Sequence, residues 1–181
     1  MYRIIHKLMG IFLAIIISTL TPSEAKTEPS GTLKLSWPET FRSIDPHLHD
    51  NQRIFWGVIG VNLFDHLIER SNEGELVPGL ATSWKPISPT IWEFNLRKGV
   101  KFHNGEKFTG KSVKFTFERM KKLTAPCLFL FKTIDKVEII NDYKVLIHLS
   151  APFGALPNNL GFAEMIPPIA GSKKDFSTHP I

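Results

Sequence analysis

Cysteine is almost absent from the sequence, which has one, Cys127, in 181 residues. No disulfide can therefore form within the chain, and the fold must depend on an apolar core. The four residues that follow Cys127 are all apolar: Leu128, Phe129, Leu130 and Phe131. This setting predicts a buried, unreactive thiol rather than a nucleophile.

The sequence also lacks a large excess of charge of either sign. The 22 lysines and arginines are scattered among 17 aspartates and glutamates, which gives a formal net charge of +5. The sequence contains no arginine-rich arm and no nucleic-acid motif. We therefore expect no nucleic acid among its partners.

No combination of residues in the sequence is typical of catalysis. An enzyme needs a nucleophile beside a base, a pair of carboxylates or a spaced set of metal ligands. Ser83 lies in the run L-A-T-S-W, which lacks the G-x-S-x-G turn of a serine hydrolase. We predict that the chain is not an enzyme and has no catalytic residue, no metal site and no cofactor.

The sequence has no apolar run of the roughly 20 residues that a membrane-spanning helix needs. Its uncharged stretch, residues 8–20, follows a basic start at Arg3 and Lys7 and precedes the small residues Ser23 and Ala25. This pattern is typical of a secretory signal peptide, with a membrane anchor as the alternative. We predict a signal peptide over residues 1–25 and a mature chain in the periplasm, without a cysteine-linked lipid.

Apolar and polar residues follow the periods of strands and helices along the rest of the chain. Residues 32–37 and 92–96 alternate as strands do, and residues 137–149 predict a hairpin that turns at Asn141 and Asp142. Residues 50–63 predict a buried helix, and residues 110–123 an amphipathic one. The irregular mixture predicts an α/β to α+β fold.

The helix over residues 110–123 is expected to have a weak start. Thr109 is its predicted N-cap, but Gly110, Lys111 and Ser112 follow, so the acid that usually completes a capping box is missing. Lys111 also faces the positive end of the helix dipole.

Two tryptophans are expected in the core. Trp84 and Trp92 lie in strand patterns, where aromatic residues are usually buried.

Three segments in sequence order carry a family resemblance. The first holds S-I-D-P-H at residues 43–47 and N-L-F-D-H-L at residues 62–67. The second is G-E-L-V-P-G-L-A-T-S-W at residues 74–84. The third is F-N-L-R-K-G-V-K-F-H-N-G at residues 94–105, continued by F-E-R at residues 117–119, with a weaker echo in M-I-P-P at residues 165–168. Together they resemble the bacterial extracellular solute-binding proteins of family five, which bind oligopeptides, dipeptides or nickel for ABC importers.

The resemblance implies the fold of a type II periplasmic binding protein, of which this chain is an N-terminal fragment. Residues 26–70 would begin the first ligand-binding lobe, residues 71–160 would form an extra domain packed on it, and residues 161–181 would return toward the lobe. In the third motif, Arg97 is expected to pair with a carboxylate. Gly99 and Gly105 are expected to permit tight turns.

The resemblance also implies a function, which is the capture of peptides in the periplasm by a monomer that an inner-membrane ABC permease recognises. The segment after the first strand contains Glu39, Thr40 and Phe41, where members of the family bring backbone to the ligand. We name these three as candidate ligand-binding residues, with a surface loop as the alternative. Nickel, an opine, a sugar oligomer or another solute could replace the peptide.

Two further alternatives depend on other features. An inactive remnant, or a scaffold for another polypeptide that supplies the second lobe, would explain a chain less than half as long as the family it resembles. A secreted metal-dependent enzyme could use His47 and His49, because imidazoles are standard metal ligands. No third spaced ligand is evident, so we expect these histidines to be solvated side chains of a loop.

Overall fold

We used a computed structural model of the chain, which describes residues 34, 43, 45–48, 60–173 and 176. The chain divides into two units, residues 1–38 and residues 39–181, and every described residue except Lys34 belongs to the second. The predicted signal peptide and most of the helix predicted over residues 50–63 lie outside the described residues. Lys34, the one described position of the strand predicted over residues 32–37, is exposed and has no regular secondary structure.

The described part of the chain mixes six strands with short and long helices. A four-stranded sheet and a two-stranded sheet contain all six strands. In chain order the elements are α1 (Val61–Leu63), β1 (Ile68–Arg70), β2 (Leu76–Pro78), β3 (Ala81–Ser88), β4 (Ile91–Leu96), α2 (Gly110–Leu123), a 3-10 helix (Pro126–Phe131), β5 (Ile134–Asn141), β6 (Lys144–Leu149), α3 (Leu156–Asn159), a second 3-10 helix (Leu160–Phe162) and α4 (Pro168–Gly171).

The four-stranded sheet is antiparallel throughout, with strand order β3-β4-β6-β5. Alternate residues of its two central strands are buried, as the period of two predicts: Trp92, Phe94, Leu96, Val145, Ile147 and Leu149. Both the strand predicted over residues 92–96 and the predicted hairpin are confirmed. The hairpin turns at Asp142 and Tyr143, one residue later than predicted, because Asn141 still pairs with Lys144.

Helix α2 packs its apolar stripe into the same core as the buried face of the sheet. Val113, Phe117 and Met120 are buried, whereas Lys114 and Glu118 lie on the exposed side. The predicted helix and its predicted N-cap are confirmed, because the Thr109 side chain accepts a hydrogen bond from the Lys111 amide. The prediction of an incomplete capping box was wrong. The Ser112 hydroxyl takes the place of the missing acid and accepts a hydrogen bond from the Thr109 amide at 3.3 Å.

At the other end of α2, Thr124 has left-handed backbone angles, with φ 51° and ψ 48°. This conformation costs a residue with a Cβ about 1–2 kcal/mol, and glycine avoids that cost but loses more entropy on folding. We therefore expect Thr124→Gly to raise the free energy of unfolding by about 0.5–1 kcal/mol, as measured by urea denaturation. Thr124→Ala is the matched control, because alanine retains the Cβ; a stability of Thr124→Gly no higher than that of the control would contradict the prediction.

Two predictions of burial need correction. The helix predicted over residues 50–63 was expected to be buried, but its described end, Val61–Leu63, exposes Val61 by 61% and Leu63 by 49%. Trp92 is buried as expected, whereas Trp84 is only partly buried and packs against the edge of the core. Trp84 belongs to β3, an edge strand of the sheet, so it has a neighbouring strand on one side only.

Glycines permit the tight turns that the third motif predicts. Gly99 and Gly105 have φ values of +79° and +84°, in the region that favours glycine. Lys101 and Lys107, on either side of Gly105, form an antiparallel bridge, so the motif folds back on itself. The carboxylate of Glu106 then accepts hydrogen bonds from the amides of residues 169 and 170, at 2.8 and 2.9 Å. The turn is thereby fastened to the first residues of α4.

The segment that contains the four-stranded sheet has its first and last residues next to each other. Just before β1, the carbonyl of Asp65 accepts a hydrogen bond from the amide of Met165 at 3.0 Å. Close by, Gly79 lies so near the backbone that an added Cβ would be 2.6 Å from the carbonyl oxygen of His66. Only glycine fits there without a shift of the backbone. The segment between Asp65 and Met165 therefore begins and ends side by side.

Candidate functional site

A buried ion pair joins two of the motif segments. Arg119, on α2, donates hydrogen bonds from both terminal nitrogens to the carboxylate of Asp45, at 2.9 Å to one oxygen and 2.5 Å to the other. The Asp45 side chain is 0% exposed and that of Arg119 is 11% exposed. Such a two-pronged geometry is the strongest arrangement of an arginine–carboxylate pair. Burial makes it costly to remove either partner alone.

Arg119 also holds α4 and the residues that follow it. Its Nε donates to the carbonyl oxygen of Gly171 at 3.1 Å, and its guanidinium lies 5.1 Å from the centre of the Phe176 ring. An added Cβ at Gly171 would come within 2.8 Å of the Phe115 ring of α2. One side chain of α2 thus fixes residues 45 and 171, which are far apart in sequence.

The prediction that His47 is a solvated loop histidine was wrong. His47 is 0% exposed, and a terminal nitrogen of Arg119 lies 2.9 Å from its Nδ1. Because a guanidinium can only donate, Nδ1 accepts, and the proton of the neutral ring lies on Nε2. Nε2 is 3.4 Å from the carbonyl oxygen of Glu164. With both ring nitrogens engaged, His47 does not present the free nitrogen that a metal ligand requires.

The metal-dependent alternative receives no support from the described residues. No group of three or more histidine, cysteine, aspartate or glutamate residues there is placed to hold a metal ion. His49, the second histidine of that hypothesis, lies outside the described residues.

No helix in the part of the chain that the structure describes is long and apolar enough to cross a membrane.

The single thiol is buried, as predicted. Cys127 is 1% exposed, and burial, together with the negative charge of Glu164, raises its pKa to about 12. Glu164 is itself fully buried. At neutral pH the thiol is therefore protonated and is a poor nucleophile, in line with the inert role predicted for it.

A solvent-open cleft of about 450 Å³ lies beside the Arg119 network. Its lining residues come from α2, from the end of α4 and the residues that follow it, and from the segment that holds Asp45 and Leu48. Its lining residues are Asp45, Leu48, Phe115, Glu118, Arg119, Lys122, Leu123, Gly171, Ser172 and Lys173. A concave surface with apolar walls and a few convergent polar groups is the usual form of a small-molecule site. This cleft is the candidate binding site.

The predicted ligand-binding residues Glu39, Thr40 and Phe41 lie outside the described residues, so their role stays a prediction. Arg97 was expected to pair with a carboxylate. Its described hydrogen bond runs instead from Nε to the carbonyl oxygen of Gly79, at 3.0 Å. Arg97 borders a second, smaller hollow of about 240 Å³ beside Glu69. Its role in the described part of the chain is to hold the turn at residue 79.

Sequence reasoning missed the residues that organise the cleft. Arg119 closes the F-E-R end of the third motif and Asp45 stands in the first, so both had been noticed as parts of a resemblance. Phe115 and Lys122 lie on α2 at spacings of four and three from Arg119, which puts all three on one helical face. The sequence predicts that these three residues share one face of the helix, but it does not predict which residues they meet in the cleft.

Comparison with known proteins places this arrangement in a family. A profile of the bacterial extracellular solute-binding proteins, family 5 Middle, matches residues 75–181. The chain belongs to this family. The predicted resemblance to family five is therefore confirmed, and so is the type II periplasmic binding protein fold, of which the chain forms a part.

Relatives in family five differ in the roles that their names describe. The HTH-type transcriptional regulator SgrR of Yersinia enterocolitica is 33% identical over 135 residues, which cover 74% of this chain and 22% of SgrR. The periplasmic murein peptide-binding protein MppA of Escherichia coli is 30% identical over 120 residues, covering 64% of this chain and 22% of MppA. The chain thus spans about a fifth of the length of these relatives.

Solved structures of the family share the fold. The Escherichia coli murein tripeptide-binding protein MppA superposes with a TM-score of 0.65 and 23% identity, over 76% of this chain and 31% of MppA. NikA from Brucella suis, solved in complex with Fe(III)-EDTA, gives a TM-score of 0.67 and 28% identity, over 77% of this chain and 29% of NikA. The common structure covers less than a third of either neighbour.

Proposed function

We propose that this family-five chain contributes to the substrate-binding component of an ABC importer and that its solute is a short peptide. The observation that carries the proposal is the cleft, where two segments distant in sequence, around Asp45 and Gly171, meet α2 through Arg119. MppA, a murein peptide-binding protein by name, supports peptide as the solute class.

The cleft suits a peptide in both size and chemistry. Its volume of about 450 Å³ falls in the range of small-molecule sites. Leu48, Phe115 and Leu123 offer apolar walls for side chains, while Ser172 and the charged residues of the rim offer partners for polar groups. Peptide binders of this kind gain affinity from main-chain hydrogen bonds and tolerate varied side chains.

The remaining parts of the proposal concern location and partners. We propose that residues 1–25 direct export and are removed, that the mature chain acts in the periplasm as a monomer, and that an inner-membrane ABC permease receives the solute. Residues 26–70 and 161–181 would belong to the first lobe, and residues 71–160 to the domain packed on it. A further polypeptide region would supply the second lobe, as the length of the relatives suggests.

The second candidate keeps the family and changes the solute to nickel or to another small molecule such as an opine. Its support is the likeness to NikA, whose structure holds Fe(III)-EDTA. Both candidates predict that solute stabilises the folded chain. They differ in which solute does so.

The experiment measures thermal unfolding of the full chain, exported by a bacterium and purified from the periplasm. A pool of short random peptides at 100-fold excess over its Kd should stabilise the native state by about 2.7 kcal/mol, which raises the Tm by several degrees. The control is the same mass of free amino acids, which should leave the Tm unchanged.

Other outcomes identify the alternatives. A rise with nickel or opines and not with peptides would favour the second candidate. A Tm that is indifferent to every solute, or no cooperative transition at all, would contradict solute binding by this chain and favour a remnant or a chain that needs its second lobe. Intact mass of the purified chain tests the removal of residues 1–25.

A further inference from the structure

Two lysines of the cleft have charges that no described residue neutralises. Lys122 lies in the last turn of α2 and Lys173 follows α4, and both are exposed and line the cleft. No hydrogen bond or ion pair within the described ranges involves either ammonium group. Lys121, the neighbour of Lys122, shows the contrast, because its ammonium donates to the carbonyl oxygen of Asp135.

The other charges of the cleft are already paired. The guanidinium of Arg119 is bound to the carboxylate of Asp45. The carboxylate of Glu118 lies 3.8 Å from Lys114, one helical turn away and outside the cleft lining. The lining thus holds three cations, Arg119, Lys122 and Lys173, against two carboxylates, Asp45 and Glu118, so its net charge is positive, and the cations without a described partner are Lys122 and Lys173.

Both lysines lie close in sequence to residues of the Arg119 network, and both line the same cleft. Lys122 is three residues after Arg119, so both side chains extend from one face of α2. The carbonyl of Gly171 accepts a hydrogen bond from Arg119 Nε at 3.1 Å, and Lys173 is two residues farther along the chain. The apolar walls, Leu48, Phe115 and Leu123, line the same cleft.

We propose that the cleft recognises an anionic group, a carboxylate of the solute, between Lys122 and Lys173, with an apolar portion of the solute against Phe115. This inference deepens the proposed function and rests on it as far as the solute is a peptide. A carboxylate can come from the C-terminus of a peptide or from an acidic side chain. The shared chemistry is one negative charge close to two ammonium groups.

The test compares defined solutes by calorimetry on the full chain purified from the periplasm. The probes are trialanine with a free carboxylate, trialanine amide, Ala-Asp-Ala amide and glutarate. We expect trialanine to bind about tenfold more tightly than its amide at low salt, because two partly exposed ion pairs are lost with the carboxylate. The preference should shrink when salt is added, since exposed charges are screened. Ala-Asp-Ala amide separates a side-chain carboxylate from a terminal one.

The variant is Lys122→Gln combined with Lys173→Gln, which removes both charges from exposed positions. It should lose the preference for the carboxylate while it still binds the amide. The matched control is Lys111→Gln combined with Lys132→Gln, which changes the net charge equally at exposed positions outside the cleft and should keep the preference. The Tm of each variant without solute verifies that it folds.

Each outcome decides between the two proposals. Equal affinity for trialanine and its amide would leave peptide binding intact and overturn anion recognition. Binding of glutarate that depends on the two lysines, without binding of any tripeptide, would support anion recognition and overturn the peptide proposal. No binding of any of these solutes would overturn both.

Discussion

An Asp45→Ala variant is expected to lose about 3–5 kcal/mol of its free energy of unfolding, as measured by urea denaturation of the full chain. The change leaves the guanidinium of Arg119, whose side chain is 11% exposed, without its carboxylate. It also removes the acceptor of the His47 amide, which donates to Asp45 at 2.9 Å. A buried charge and a buried amide that lose their partners are both expensive.

The control for this variant is an exposed ion pair on the same helix. Glu118 lies 3.8 Å from Lys114, with side chains 65% and 46% exposed, so Glu118→Gln should cost at most about 0.5 kcal/mol. The double variant Asp45→Ala with Arg119→Met should lose less free energy of unfolding than the sum of the two single variants, because it leaves no buried charge without its partner. A loss for Asp45→Ala as small as that of the control would refute the central role of the pair.

A Phe94→Ala variant should also lose about 3–5 kcal/mol, because it leaves a cavity in a core that cannot collapse to fill it. Phe94 is 0% exposed and lies in β4, a central strand, between Trp84 of β3 and Val145 of β6. Strand β4 pairs with both β3 and β6, and β6 also pairs with β5, so the backbone of the two central strands resists movement into the gap. Thermal and urea denaturation would both report the loss.

An exposed phenylalanine provides the comparison. Phe129 is 55% exposed in the first 3-10 helix, so Phe129→Ala removes the same atoms from a position that is mostly in water. The expected loss is below about 1 kcal/mol, because little apolar area returns to solvent. Equal losses for the two variants would show that the four-stranded sheet is not the centre of the core.

Local periodicity accounts for the elements that the sequence predicted correctly. Helix α2 and strands β4 and β6 each bury one face against the same core, so burial imposes a period of 3.6 or 2 on their residues. The N-cap at Thr109 was also predictable, since a cap depends on neighbours within one turn. The substitution of a serine hydroxyl for the usual acid at Ser112 escaped prediction, although the hydroxyl has the reach to act as acceptor.

Long-range partners explain what the sequence could not reveal. Asp45 and Arg119 are 74 residues apart, and nothing in either local segment specifies the other. For the same reason His47, which had no third spaced metal ligand near it in sequence, was expected in solvent, whereas it is buried in contact with Arg119 of α2 and with Glu164. The exposure of Val61 has a similar origin, because helical spacing indicates which residues share a face but not whether another element covers it.

The hydrogen bond between Asp65 and Met165 has a consequence for how such a protein can change over evolutionary time. A segment that starts and finishes within one backbone hydrogen bond can be inserted into a host, or removed from it, with little change in the path of the host chain. The four-stranded sheet and α2 lie in such a segment, and Arg119 of α2 ties it to Asp45 and Gly171 of the host chain. A gene rearrangement that exchanges this segment would keep the course of the host polypeptide, provided that the host supplies the carboxylate that Arg119 binds.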